Sequence, residues 1–252
     1  MSKTQFYLSI VSHGHDTFLI NNSTLAQLAK RDDVIVIVLD NVRSSLLKDH
    51  ATQNGIYYLS NDTPKGFGEN NNIVFQHFVE NHSLTDEDFF LVINPDVIID
   101  ESEFEKLVQF TMNEQPELFT INLFLDSAFT THDPSVRYFP TWLSYFKSFF
   151  MKVGYNYDKS TIHDPLEVDW ASASFLGFKG SLYNQLNGFD ESFYMYCEDI
   201  DICERAKSIG ANCLYIPTVK AHHFVQQENR NIFSKHFWWH LKSIVRYFNK
   251  TK

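Results

Sequence analysis

The first sixteen of residues 187–205, NGFDESFYMYCEDIDICER, set carboxylates at 190, 191, 198, 199 and 201 among Phe189, Phe193, Tyr194, Met195 and Tyr196. A solvated acidic face would not carry that much apolar surface. A core segment would not carry those acids, because a buried unpaired carboxylate costs several kcal/mol or becomes neutral. The mixture predicts a pocket wall where acids meet a cation, a proton donor or a metal. Within it, Glu198-Asp199 opens a segment with Ile200, Cys203, Ala206 and Ile209 at helical spacing. Asp199 then sits where the helix dipole favours a charged carboxylate, and such a group can act as general base towards a hydroxyl. The plainer reading is a capping acid beside a surface Glu.

Four further spots have the right residue types for chemistry. Asp40-Asn41 follows the apolar run VIVIVL, so its carboxylate can accept from a nucleobase N–H or a ribose hydroxyl, or simply cap the next helix. Gly66-Phe67-Gly68, with Asn70, Asn71 and Asn72, opens a helix; glycines admit a close ligand and helix amides favour phosphate, although an ordinary turn reads the same way. Asn94-Pro95-Asp96 follows another apolar run. A hard divalent ion between two phosphates needs only one or two carboxylates there, and the competing reading is a Pro turn. His222-His223 follows a short strand and Pro217; side chains of neighbours in an extended chain point oppositely, so one of the two at most is a ligand.

These positions need a scaffold. Residues 5–11 and 34–39 are apolar, β-rich runs, and 17–31 between them has helical spacing. Residues 56–59 and 89–93 give two more strands with a helix at 70–81 between them. Continuous apolar strands alternating with helices imply a parallel sheet covered on both faces, with ligands at the strands' C-terminal ends. Beyond Asp96 come a helix at 102–113, a strand at 119–124 and an irregular aromatic stretch at 132–164 that suits a lid or an acceptor-side loop. A strand at 168–178 follows, then a helix to Leu186 and a strand at 213–216 closed by Pro217. Residues 1–100 form a nucleotide-side half and 101–228 an acceptor-side half of one domain.

The composition excludes several classes. Hydrophobic residues make up 44% of the 252 and aromatics 16%, which no disordered chain carries. The net charge of −10 divides into +6 on residues 229–252 and −16 on the rest, so the body is no nucleic-acid binder. Three cysteines without a CxxC pair suit reduced thiols in the cytoplasm. No run of 18 apolar residues spans a membrane, and no signal peptide opens the chain. Residues 233–248 instead place apolar side chains at 233, 237, 241, 244, 245 and 248, with Lys235, Lys242 and Arg246 elsewhere. That basic amphipathic helix suits an anionic membrane surface, and the alternative is a helix docked on the body.

Taken in order, LSIVSHGHD, VLDN, KGFGENNN, VINPD, VDWASASFLGF and NGFDESFYMYCEDIDICERAKSIG resemble a family 2 glycosyltransferase of the GT-A fold across nearly the whole chain. HDPSVRYFP and the basic tail resemble the rhamnosyltransferases of bacterial O-antigen assembly. The resemblance implies an α/β, Rossmann-like, mostly parallel sheet with flanking helices. It implies that Ser12, His13, Asp40, Asn41, Gly66, Gly68, Asn72, Asn94 and Asp96 hold a nucleotide sugar, with Asp96 and His223 on Mg2+ or Mn2+. Asp199 would be the base with Glu198 beside it, and Trp170, Asp190, Glu191 and Arg205 would serve the acceptor. The implied reaction is inverting transfer from dTDP-L-rhamnose to a polyprenyl-diphosphate-linked sugar, GlcNAc on undecaprenyl diphosphate, at the cytoplasmic face of the inner membrane. A different nucleotide sugar, or a non-catalytic scaffold of the assembly complex, are the alternatives. The family's Asp-x-Asp stands here as Asn94-Pro95-Asp96.

Overall fold

The computed structural model describes residues 4–145, 155–224 and 235–250. The apolar runs form strands as their patterning requires: β1 (Phe6–Ser12), β2 (Val34–Asp40), β3 (Tyr57–Ser60) and β4 (Phe89–Ile93). Alternate residues supply two separate cores. Tyr7, Ile37, Leu39, Phe90 and Val92 face one side, and Phe6, Leu8, Val36, Leu91 and Ile93 the other. That double burial explains why these strands are apolar throughout. The first face is covered by α4 (Phe67–His82), α6 (Gly180–Gln185) and α7 (Glu198–Ser208). The second is covered by α1 (Asp16–Asn21), α2 (Ser23–Leu28), α3 (Ser45–Gln53) and α5 (Glu101–Glu114).

The sheet has nine strands in the order β3-β2-β1-β4-β10-β6-β11-β5, with β8 on β11. Here β5 is Val97–Ile98, β6 Leu118–Phe124, β8 Leu166–Val168, β10 Phe175–Lys179 and β11 Cys213–His223. β3, β2, β1 and β4 are parallel, and β6 is parallel to β11. β10 runs antiparallel between β4 and β6 and joins the two groups. Register sets Ser12 beside Asp40 and Asp40 beside Ser60, so the polar strand ends share one edge. A two-stranded ribbon of β7 (Val136–Arg137) and β9 (Trp170–Ala171) stands apart.

Four elements depart from the sequence expectation. The helix expected at 17–31 is two helices, because the Asn22 side chain accepts from Thr24 N–H at 3.0 Å and starts α2 afresh. The strand expected at 168–178 is three, broken by a turn at 172–174. β11 does not stop at Pro217. Its register against β6 slips between Ile216 and Lys220, and that irregularity accommodates the missing N–H and carries the strand on to His223. Finally, α8 (Lys235–Lys250) is docked on the body: Ser243, Ile244, Tyr247 and Phe248 are buried, while Leu241 and Val245 face out. The apolar positions expected on one face are therefore divided between two. Of the stretches singled out in the sequence, residues 146–154, 229–234 and 251–252 lie outside the described residues, as do the side chains of 235–237.

Candidate active site

The turn after β4 is clamped from both sides. Asn94 N–H donates to Ser174 O at 2.9 Å, Val97 N–H to Asn94 O at 3.1 Å, and Phe224 N–H to Asp96 O at 2.8 Å. β5, immediately after the turn, pairs with the end of β11 and so aligns Val97 with His223. As strand alternation demands, the tandem histidines part. His222 packs on Phe224 with ring centres 3.6 Å apart, while His223 is buried and sets Nε2 3.4 Å from Asp96 Oδ1. Its Nδ1 lies 2.9 Å from Asp133 Oδ2. Burial alone would lower the His223 pKa, but the hydrogen bonds that its ring nitrogens donate to Asp133 and Asp96 outweigh it and push it up to about 9.

A proton thus sits on His223 between two carboxylates. A neutral His223 donating Nδ1–H to Asp133 would turn its Nε2 lone pair towards Asp96, the outer-shell arrangement of many metal sites. Among the described residues no three or more His, Cys, Asp and Glu side chains form a metal-holding group. One carboxylate and one imidazole nevertheless suit a hard divalent ion that takes its remaining ligands from phosphate and water. Asp133 escaped sequence reasoning because a lone Asp before Pro134 reads as a turn residue; only the fold reveals that it is buried against a histidine 90 positions away.

Asp199 lies in the first turn of α7 and is partly buried. Its Oδ1 accepts from Ile200 N–H at 2.9 Å and its Oδ2 from Ala173 N–H at 3.4 Å. Contrary to the expectation of a charge held low by the helix, burial raises the Asp199 pKa, opposed by the charge of Arg137 and by those amides. Glu198 is more deeply buried, and its Oε2 has no hydrogen-bond partner. Burial and the neighbouring Asp199 drive its pKa well up. Of the pair, Glu198 is raised the more, while Asp199 has the Ile200 and Ala173 amides and the charge of Arg137 to stabilise its ionised form. The 172–174 turn links the two centres, since Ser174 O receives Asn94 N–H and Ala173 N–H reaches Asp199.

Several residues expected to face ligand are spent inside the protein. Asp40 is fully buried; its oxygens accept from Val42 N–H (2.9 Å), Ser44 N–H (2.6 Å) and the Tyr58 hydroxyl (3.0 Å), so it shapes the loop after β2. Asn41 is likewise committed to Lys65 and Asn61. Ser12 is buried and accepts from His15 N–H, whereas His13 is exposed at the same edge. Asn72 reaches across to the 187–191 turn: it donates to Phe189 O (2.9 Å) and Glu191 Oε1 (3.0 Å) and accepts from Phe189 N–H and the Tyr183 hydroxyl. A Cβ on Gly66 would meet Tyr194 O at 2.6 Å, and one on Gly68 would meet Phe189 Cβ at 2.7 Å. These glycines admit the 189–194 loop, so KGFGENNN and NGFDESFYMY form one joint.

On the acceptor side, Trp170 is buried and donates to Tyr138 O at 2.9 Å, with Arg137 over its ring. Arg205 is fully engaged with Asp201, Leu186 O and Gly188 O. Both brace the site from behind. Asp190 is ion-paired with Lys250 at 2.7 Å, and Glu191 is exposed. A cavity of about 340 Å³ between β3 and α4, lined by Leu39, Leu59, Asn61 and Ile73 among others, contains none of the residues described above as chemistry-bearing except Asn61, a partner of Asn41.

No family model matches the chain. It is 34% identical over 249 residues, 98% of its length and 93% of the relative's, to the rhamnosyltransferase WbbL of Escherichia coli K12. Over 77 residues, 30% of the chain and 25% of the relative, it is 36% identical to the N-acetylglucosaminyl-diphospho-decaprenol L-rhamnosyltransferase of Mycobacterium tuberculosis. Among solved structures, the mannosyltransferase PcManGT of Pyrobaculum calidifontis, in complex with GDP-Man and Mn2+, superposes with a TM-score of 0.64 at 12% identity, covering all of this chain and 65% of that one. With a mixed, mostly parallel sheet shared with GT-A enzymes and full-length similarity to WbbL, the chain belongs to the GT-A glycosyltransferases, in the WbbL rhamnosyltransferase family.

Proposed function

We propose that the chain transfers L-rhamnose from dTDP-L-rhamnose to GlcNAc on undecaprenyl diphosphate by a single inverting displacement, in O-antigen or related surface-polysaccharide assembly. The observation that carries this reading is the hydrogen-bonded path from the Asp96–His223 pair, through Asn94 and the 172–174 turn, to Asp199. It links a candidate diphosphate side to a candidate base on one rigid frame. The names of the two relatives supply the sugar and the lipid-linked acceptor class.

In this mechanism Asp199 removes the proton from an acceptor hydroxyl, which attacks the anomeric carbon opposite the departing dTDP. Glu198, carrying its own proton, keeps a second negative charge from building beside the base. Asp96 and a neutral His223 would hold Mg2+ or Mn2+, which supplies charge neutralisation for the leaving diphosphate. Asp133 orients His223 and takes up its Nδ1 proton as a hydrogen bond. The solved mannosyltransferase complex with Mn2+ supports a divalent ion for this fold.

No described helix is long and apolar enough to cross a membrane. The outward face of α8 exposes Trp238, Leu241 and Val245 beside Lys242 and Arg246. That face suits peripheral attachment to an anionic inner leaflet, where the acceptor resides. The test is release of dTDP from dTDP-L-rhamnose with synthetic or lipid-linked GlcNAc diphosphate, run beside UDP- and GDP-sugars. Turnover dependent on dTDP-rhamnose and acceptor supports the reading; turnover with another donor alone, or none with any, overturns it.

A further inference from the structure

The start of α7 is conformationally costly. Tyr196 and Cys197, the two residues before the Glu198-Asp199 pair, both have left-handed backbones, at φ 72° and 68°, and neither is a glycine. Cys197 occupies the N-cap position without giving a side-chain capping bond. A conformation of this kind persists only when its surroundings over-determine it. Here the surroundings are α8.

Ser243 Oγ donates to Met195 O at 2.8 Å. Lys250 Nζ bonds Asp190 Oδ2 at 2.7 Å and Asp201 Oδ1 at 2.5 Å, one carboxylate on each side of Asp199 in the chain. Asp201 is almost fully buried, and its second oxygen takes Arg205. Arg246 and Lys250 lie 5.9 and 5.7 Å from the Phe193 ring, and Trp239 and His240 pack on Tyr194 and Tyr196. One helix thus grips the loop at 190, 193, 194, 195 and 196, and α7 at 201.

We propose that α8 belongs to the catalytic apparatus: Lys250, supported by Ser243, is a positioning residue that holds the 190–197 loop taut and so sets where Asp199 stands. Removing the Lys250 ammonium leaves Asp190 and Asp201 without their bridge and lets the loop relax towards ordinary backbone angles. A misplacement of about 1 Å at a reacting group can cost on the order of 100-fold in rate. This inference rests on Asp199 being the base.

The experiment compares Lys250→Met, Lys250→Arg, Ser243→Ala and the exposed control Asn249→Ala in the full chain. Steady-state kinetics with dTDP-rhamnose and a synthetic acceptor is read beside amide hydrogen exchange across 190–199. Lys250→Met should lower kcat on the order of tenfold or more, with donor KM within about twofold, and speed exchange in 190–199 without lowering protection of β1 or β4. Lys250→Arg should restore both readings, Ser243→Ala should shift them in the same direction by less, and Asn249→Ala should match the parent. Unchanged exchange at 190–199 in Lys250→Met overturns the proposal, as does a kcat loss that arginine fails to rescue. The exchange result stands whatever donor the enzyme uses, so a failed donor assignment is told apart from a failed clamp.

Discussion

At the scale of single residues the two carboxylate centres behave differently. Asp199→Asn removes the proton acceptor and keeps one of the two amide contacts, the shorter one from Ile200 N–H, so kcat should fall roughly 10²- to 10⁴-fold while the melting temperature changes little. Turnover within a few-fold of the parent would show that another group is the base. His223 has a pH signature of its own. Its pKa, near 6.5 in the unfolded chain, rises to about 9 in the metal-free fold, so the stabilisation is complete below about pH 6.5 and is lost as pH climbs through 9. The metal-free protein should melt progressively lower between those limits, and His223→Gln should flatten the slope. Loading Mn2+ below pH 9 should expel close to one proton from His223, measured as a buffer-dependent binding enthalpy. Asp133→Asn should weaken Mn2+ binding by about 10- to 100-fold in the same titration.

At the scale of elements, the joint between the start of α4 and the 187–194 loop is a crowded place that the sequence marks with glycines. Gly66→Ala drives a methyl into the Tyr194 carbonyl, which is backbone and cannot swing away. A loss of about 1–3 kcal/mol is expected, read from denaturant midpoints. Gly68→Ala should do likewise against Phe189. The sequence displayed these glycines clearly, but not their partner. A glycine excludes a side chain without naming what comes close, and here the visitor is the chain itself from Phe189 and Tyr194, more than a hundred residues downstream. The same limit applies to Asn72 and Arg205, whose types suit a ligand but which are satisfied by distant backbone, and to Asp40, which is satisfied by the amides of its own loop and the Tyr58 hydroxyl. By contrast, β1, β2 and β4 were legible because burial on both faces is written into each run, and so was the helix opening at Glu198-Asp199, because Ile200, Cys203 and Ala206 follow at helical spacing. Asp133 and the course of β11 beyond Pro217 depended on pairing partners that periodicity cannot see.

At the scale of the whole molecule, charge and apolar surface are segregated. Residues 229–252 carry +6 against −16 elsewhere, and α8 turns one side to the protein and Trp238, Leu241 and Val245 outwards. The chain should pellet with vesicles rich in phosphatidylglycerol, less with neutral vesicles, and weakly above about 0.5 M salt, where screening shortens to a few ångströms. Trp238→Ala with Lys242→Glu should reduce pelleting severalfold; full retention would remove the helix from the attachment surface.

The place of β10 between β4 and β6 also governs how this molecule comes into being. In synthesis from the N-terminus, β4 is complete long before β10 exists, and β6 precedes both its neighbours, β10 and β11. A nascent chain of 124 residues therefore carries a finished four-strand half-sheet with an open, apolar β4 edge, and a β6 that has nothing to pair with. Such edges recruit other chains. The molecule must live through that interval before one five-residue strand seals both sides at once, so folding should be slow, non-local and protected by chaperones, and a fragment ending before Phe175 should aggregate where the whole chain does not.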